Sequence, residues 1–380
     1  MKNVLVVFGT RPEAIKMAPV VDALRATAGT RVQVAVTAQH RQMLDQVMEL
    51  FGIVPDHDLD VMRPDQTLAS LFSSVLTGMT ALIGRERPDL VLVHGDTSTT
   101  LSTALAAYYN RVPIGHVEAG LRTGDMLAPW PEEANRRLTA PLASLHFAPT
   151  TRARDNLLAE GVAPGSIHVT GNTVIDALLK VSARIDSEPA LRADIAGRFP
   201  YLAPNRRLLL VTGHRRENFG QGFESICRAL RTLAERDDVQ IVYPVHLNPN
   251  VQAPVQRLLQ DAPNVHLIPP QDYLPFVYLL KQAYLVLTDS GGIQEEAPAL
   301  GKPVLVMREI TERPEAVQAG SVVLLGTDEK NIATTAGALL DDPALHAKMA
   351  CARSPYGDGC AAFRIAAEVG AWRGPSNGGA

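Results

Sequence analysis

Four carboxylates stand just after short apolar runs in the first half of the chain: Asp96 in VHGDTSTT, Glu118 in GHVEAGLRT, and Glu132 with Glu133 in APWPEEANRR. Acids placed this way, beside cations, suit proton transfer, because desolvation and neighbouring charges move carboxyl pKa values towards neutrality. The cations follow other apolar runs. Arg11 and Lys16 occur in GTRPEAIKMAP, and His214, Arg215 and Arg216 in VTGHRREN. A third turn, TDSGGIQEEA, sets Ser290, Gly291 and Gly292 at a helix start, where free backbone N–H groups receive phosphate. Three such turns suit an anionic ligand with more than one phosphate, and a diphosphate fits. Glu295 and Glu296 sit one turn inside the helix, where a carboxylate repels phosphate unless it meets another part of the ligand; they point about 100° apart, so only one of them is expected to do so. Simpler readings stand beside these: Arg11 paired with Glu13, Asp96 as a helix cap, and Glu132 and Glu133 in i,i+4 pairs with Arg136 and Arg137.

The elements that must position these groups follow from the apolar rhythm. VLVVFGT, VQVAVTA, DLVLVHGD, PIGHVEAG, LHFAPT and IHVTGN alternate with helix-length amphipathic stretches, which predicts buried parallel strands. The second half repeats the pattern with RLLLVTGHR, VQIVYPVH, VHLIPP, YLVLTDSGG and PVLVM. An α/β chain with two Rossmann-like, doubly wound domains is expected, with a break near Gly171. VFGTRPE and VTGHRRE share V-x-G-x-R-x-E at the first strand-to-helix turn of each half. In open parallel sheets ligands sit outside the carboxyl ends of the strands, so two such domains would face a common central cleft.

Composition and motifs narrow the class. The 380 residues are 46% hydrophobic and 20% charged with a net charge of −4, which lacks the basic excess of a general nucleic-acid binder. G-x-G-x-x-G and G-x-x-x-x-G-K-[ST] are both absent, disfavouring a dinucleotide site and a P-loop. Cys227, Cys351 and Cys360 are too few and too scattered for a disulfide framework and are expected as reduced thiols. His40, His94, His116 and His246 lack metal-ligand spacing, so no metal is expected. The apolar run in MKNVLVVFGTRPE is too short for a secretory signal or a membrane span, which makes the cytoplasm the expected location.

FGTRPEAIKMAPV, TAQHRQMLDQV, VLVHGDTSTT, HVEAGLRTGD, PWPEEANRRLT, VTGNTVIDAL, VTGHRREN, YPVHLNPNV, TDSGGIQEEAPALGKPVLVMR and SPYGDGCAAFRI together resemble the bacterial non-hydrolysing UDP-N-acetylglucosamine 2-epimerases, in order from Lys2 to about Ala367. The resemblance implies a glycosyltransferase-B-like fold. Residues 1–171 would be the sugar-side domain, completed by a C-terminal helix at about 362–375, and residues 172–361 would bind UDP. Asp96, Glu118 and Glu132 match the family's acid/base carboxylates, and which of them takes or returns the C2 proton stays open. Arg11, Lys16 and His214 match residues around the diphosphate and leaving group, and Arg136 and Arg313 residues that position sugar or phosphate. Ser290, Gly291 and Gly292 match the phosphate turn, Glu296 the ribose acid and Phe276 an aromatic beside uracil.

The implied reaction interconverts UDP-N-acetylglucosamine and UDP-N-acetylmannosamine without a cofactor, through a 2-acetamidoglucal and free UDP. The resemblance also implies a homodimer and a second UDP-N-acetylglucosamine acting as effector near Gln39, Gln42 and His246, although Asp65 stands where several relatives carry a basic residue. Other readings are a UDP-sugar glycosyltransferase of the same fold, an epimerase for a modified UDP-N-acetylglucosamine, and a UDP-sugar sensor without turnover. No nucleic-acid or membrane partner is expected.

Overall fold

Two parallel sheets, wound in the same strand order, organise the chain in the computed structural model, which describes residues 1–37, 41–63, 66–352 and 354–374. The first unit comprises Met1–Ala177 and Tyr356–Ala380, and the second Leu178–Pro355. In the first, β1 (Lys2–Phe8), β2 (Thr30–Val36), β3 (His57–Asp58), β4 (Leu90–His94), β5 (Ile114–Val117), β6 (Leu145–Ala148) and β7 (Ile167–Val169) lie in the order β3-β2-β1-β4-β5-β6-β7. The second contains β8 (Arg207–Thr212), β9 (Val239–Pro244), β10 (Val265–Ile268), β11 (Ala283–Thr288), β12 (Val304–Val306) and β13 (Val322–Leu324), in the order β10-β9-β8-β11-β12-β13. Every strand pairing is parallel. Both sheets are doubly wound, and their order reverses between β1 and β4 and between β8 and β11, where ligand-binding loops of such sheets gather.

The strands form where the sequence offers uninterrupted Val, Leu and Ile, because a sheet covered on both faces buries every side chain. All five residues of β4, LVLVH, are buried. One core joins Leu5, Val7, Val91 and Val93 to Val75, Met79 and Ile83 of the helix Leu68–Glu86. That helix has 19 residues and a mean hydropathy of 1.3, which meets the length and apolarity of a membrane span. Its Leu71, Val75, Met79, Leu82 and Ile83 are nonetheless buried against the sheet, so it serves as a core helix here. A separate core in the second unit joins Leu209, Val211, Ile241 and Leu285 to Phe223, Ile226 and Leu230.

The chain returns to the first unit through the helix Ala361–Ala371, and both ends of that helix are held. Asp176 accepts hydrogen bonds from the N–H groups of Ala362 (2.8 Å) and Ala361 (3.3 Å), a negative charge at the positive end of the helix. Lys2 Nζ donates to the carbonyls of Val369, Gly370 and Trp372 at the other end. Asn172 N–H donates to Tyr356 O at 2.6 Å. These bonds tie residues 172–177 and 356–361 into the first unit, whose limit at Ala177 falls inside the helix Thr173–Ser187.

Beneath the first strand-to-helix turn sits Glu13, only 2% exposed. Thr10 caps the helix Arg11–Arg25, with Pro12 in the first turn and Glu13 closing a capping box. The Glu13 carboxylate accepts from Gly9 N (3.0 Å), Thr10 N (2.8 Å), Thr10 Oγ1 (2.8 Å) and Thr97 Oγ1 (2.7 Å). Burial pushes its pKa up, and these donors oppose the rise. A Cβ at Gly9 would lie 2.1 Å from Thr37 Oγ1 and 2.5 Å from Thr99 Oγ1, so only glycine fits over that hydroxyl pair. Glu13→Ala would strand the buried N–H of Gly9 and the part-buried N–H of Thr10, which costs about 2–4 kcal/mol. The expected outcome is a lower denaturant midpoint for the first unit; an unchanged midpoint would contradict this account.

Candidate active site

In the first unit Glu118 and Asp96 each pair with a cation from another element. Glu118, at the end of β5, has a left-handed backbone (φ 62°), uncommon outside glycine, which turns the chain sharply after the strand. Its Oε2 accepts from Lys16 Nζ on the helix Arg11–Arg25 and from Asn172 Nδ2 at 2.8 Å. His94 Nε2, at the end of β4, lies 3.9 Å from the same oxygen. Burial holds the His94 pKa down to about 4 despite the Glu118 charge, so the ring is neutral at pH 7, and among the described residues neither ring nitrogen has a hydrogen-bond partner.

Asp96, in the turn after β4, pairs through Oδ2 with Arg136 Nη2 on the helix Glu132–Thr139, and its carbonyl accepts from Asn135 Nδ2 at 2.9 Å. The cap of the next helix is Thr97, so Asp96 is left for Arg136. Glu133 is fully buried and accepts from Thr123 N (3.1 Å) and Gly124 N (3.3 Å), with Arg136 Nη1 at 3.3 Å. The expected i,i+4 pairs are therefore replaced by an i,i+3 pair, while Arg137 turns to Glu160 at 3.6 Å. Glu133 anchors the loop, and its neighbour Glu132 is half-buried with no hydrogen bond or ion pair among the described residues. Arg11 is equally uncommitted there, since Glu13 points inward.

The second unit repeats the arrangement with a different acid. Asp289, directly after β11 and fully buried, accepts from His214 N (2.9 Å), Arg215 N (2.8 Å) and Asn218 Nδ2 (3.2 Å). Backbone N–H groups at both first turns are thus already used, in one unit by Glu13 and in the other by Asp289. Glu217, the counterpart of Glu13 in the V-x-G-x-R-x-E echo, pairs instead with Arg308. His214 stacks on His246 with ring centroids 5.6 Å apart. Gln39 lies outside the described residues, as does Asp65; Gln42 falls on the helix Arg41–Phe51, and its side chain also lies outside them.

The TDSGG turn has a different character. Ser290 N–H donates to Thr288 Oγ1 at 2.9 Å, and Gly292 precedes the helix Ile293–Ala299. A Cβ on Gly291 would come within 3.0 Å of Arg313 Nη1, because the guanidinium lies over this glycine. Arg313 Nε donates to Glu295 Oε1 at 2.8 Å, and Nη1 pairs with Glu312 at 2.8 Å. Glu296 accepts from Tyr273 Oη at 3.0 Å, with Oε2 on the side of Gly292. Phe276, half-buried, sits one turn along the helix Tyr273–Gln282. Cys227 is buried, Cys351 and Cys360 are exposed, and all three are free thiols. Among the described residues no group of three or more His, Cys, Asp or Glu side chains could hold a metal ion.

Asn172 and Asp289 are groups that the sequence did not single out, and Asp289 was within reach as the acid next to Ser290. Glu312 supplies a measurable pH dependence. Burial alone would raise its pKa, but the guanidinium groups of Arg313 and Arg308 bring it down to about 2. A carboxyl depressed in the folded state stabilises above its unfolded value of 4.5, and that contribution, about 3 kcal/mol, is lost as pH falls towards 2. Glu312→Gln should therefore lower the urea midpoint of the second unit most above pH 5 and progressively less from pH 4.5 to 2.5. A pH-independent difference would contradict the assignment.

A family model described as UDP-N-acetylglucosamine 2-epimerase matches residues 22–370. A Ralstonia solanacearum protein named as a probable UDP-N-acetylglucosamine 2-epimerase is 61% identical over 373 residues, covering 98% of this chain and all of its own. The UDP-N-acetylglucosamine 2-epimerase of Escherichia coli K12 is 59% identical over 364 residues, 96% of this chain and 97% of its own. The crystal structure of the Neisseria meningitidis enzyme bound to UDP-GlcNAc superposes with a TM-score of 0.90 at 49% identity, over 97% of this chain and 99% of that one. Matching sequence end to end and two doubly wound domains of glycosyltransferase-B-like fold place this chain in the UDP-N-acetylglucosamine 2-epimerase family.

Proposed function

We propose that the protein interconverts UDP-N-acetylglucosamine and UDP-N-acetylmannosamine by inverting C2. The observation that carries this reading is the set of carboxylates in the first unit, Glu118 beside Lys16 and Asp96 beside Arg136, with Glu132 uncommitted. A glycosyltransferase of the same fold needs a diphosphate site and a ribose acid but no such set. The Neisseria relative was crystallised with UDP-GlcNAc, which supports the same substrate here. Modified UDP-N-acetylglucosamine derivatives are a substrate question that product analysis answers.

The C2 proton is not next to a carbonyl and is poorly acidic. As the C1–O bond to UDP breaks, electron-poor C1 acidifies C2–H, and a carboxylate among Asp96, Glu118 and Glu132 removes that proton. The products of this half-reaction are 2-acetamidoglucal and UDP. Protonation of C2 from the opposite face and return of the UDP oxygen to C1 complete the inversion, so no atom or electron is gained or lost. Arg11, Lys16 and His214 stabilise the charge that develops on UDP. Arg136 and Arg313 position the sugar and phosphate. In the second unit Ser290, Gly291 and Gly292 face the diphosphate, Phe276 meets uracil, and Glu296 accepts from the ribose hydroxyls. Glu296 is favoured over Glu295 because Arg313 already occupies Glu295. By the family resemblance the enzyme works in the cytoplasm as a homodimer, binds a UDP-N-acetylglucosamine effector near Gln39, Gln42 and His246, and supplies activated N-acetylmannosamine for cell-surface polysaccharide.

Incubation with UDP-N-acetylglucosamine in deuterated water, without an acceptor, should give a stable UDP-N-acetylmannosamine fraction with deuterium at C2. Unchanged donor, or binding without exchange, would overturn the reading. Asp96→Asn and Glu118→Gln should each lower kcat by about 10²-fold or more. In the second unit Glu296→Ala should raise KM for the UDP-sugar well above the effect of Glu295→Ala. The reverse order would transfer the ribose contact to Glu295.

A further inference from the structure

Asp289 has no place in the chemistry just described, yet it is the group on which the His214 turn is built. Its side chain is completely buried at the carboxyl end of β11, beside the turn that follows β8. A carboxylate in that position is tolerated only when its oxygens are satisfied, and here the donors come mainly from that turn. Oδ2 takes His214 N, Arg215 N and Asn218 Nδ2, and Oδ1 takes a second, longer contact from His214 N at 3.1 Å. Asn218 passes the constraint on, since its Nδ2 also donates to Met307 O at 3.1 Å. The same carboxylate faces the ring. Asp289 Oδ1 lies 3.5 Å from His214 Nδ1.

We propose that Asp289 is a positioning residue for His214: it fixes the backbone of the turn and holds the imidazole with Nδ1–H towards the carboxylate, leaving Nε2 for the ligand. The proposal rests on the reading that His214 acts on the UDP leaving group. With Nδ1–H committed to Asp289, the neutral ring presents an Nε2 lone pair and the charged ring presents Nε2–H. The Nε2–H form can donate to a phosphate oxygen as the C1–O bond breaks, while the neighbouring carboxylate balances the imidazolium charge. A ring free to rotate, or in the other tautomer, would lose that alignment.

The charged and titratable groups that face His214 are Asp289 from the end of β11, Arg215 from its own turn and His246 after β9. Burial lowers the His214 pKa below 6.5, Asp289 opposes that fall, and Arg215 and His246 add to it. Removing the carboxylate therefore pushes the pKa further down. His246, exposed and stacked on the ring, accepts at Nδ1 from Asn248 N–H at 3.1 Å.

The test is Asp289→Asn in the full-length protein, read by 15N NMR of the histidine rings, an observable that does not depend on turnover. Wild-type His214 should titrate below 6.5 with its neutral form protonated at Nδ1, and the variant should titrate lower still with mixed tautomers. Epimerisation should lose at least tenfold in kcat with KM changed less than threefold, and the limb of the pH profile that reports His214 should move to lower pH. A companion variant, His214→Asn, should lose activity without a further loss when Asp289→Asn is added. An unchanged His214 titration and tautomer in a folded Asp289→Asn variant would overturn the proposal. If wild-type protein shows no epimerisation, the functional reading fails, and the NMR titration still decides whether Asp289 sets the state of His214.

Discussion

Each unit depends on one buried carboxylate beneath its first strand-to-helix turn. Parallel strands leave their last N–H groups pointing into the turn, and a helix start adds more donors without partners. Water would satisfy them in an open loop, and a ligand would do so in a phosphate cradle. Here the protein does it alone, with Glu13 in the first unit and Asp289 in the second. The two solutions differ in origin, since Glu13 belongs to the turn itself and Asp289 arrives from a strand 75 residues later in sequence.

Filling the turns from within changes how an anionic ligand must be read. In the proposed reaction, recognition at these turns passes to side chains that the held backbone presents: Arg11 after β1 and His214 after β8. The proposed acid/base groups Glu118 and Asp96 follow the same logic, each meeting its cation from a second element, so that neither loop sets the geometry alone. Glu118 is held by Lys16 and Asn172, and Asp96 by Arg136, which Glu133 steadies from the other side. The TDSGG turn is the contrasting case. There Arg313 holds Glu295 and lies over Gly291, while Tyr273 holds Glu296 with its Oε2 still beside Gly292, so a guanidinium lies at the helix start proposed to take the diphosphate.

Much of this was legible in the chain, for reasons that differ by element. Long strands such as β1 and β4 contain continuous apolar runs, Val4 to Phe8 and Leu90 to Val93, and every residue of those runs is buried. β3 and β13 escaped notice because they are two- and three-residue edge strands, one of them the polar pair His57–Asp58. The acids after strands were visible as residue types at strand ends, but their allegiances were not. Glu132 and Glu133 look alike in PEEANRR, and only the fold of the 121–131 loop sends Glu133 inward to Thr123 and Gly124. Likewise the V-x-G-x-R-x-E echo marked two equivalent turns correctly in topology, while its second glutamate, Glu217, faces Arg308 and leaves the buried role to Asp289. Sequence spacing reports which groups lie near a turn, whereas burial decides which of them the protein consumes for its own backbone.

Amide hydrogen exchange at Gly9, Thr10, His214 and Arg215 tests that division most directly, measured in the free protein and again with saturating UDP. If Glu13 and Asp289 already occupy these N–H groups, all four amides exchange slowly without ligand and UDP leaves their rates unchanged. Fast exchange in the free protein that becomes slow on UDP binding would show a ligand-filled cradle and contradict the account.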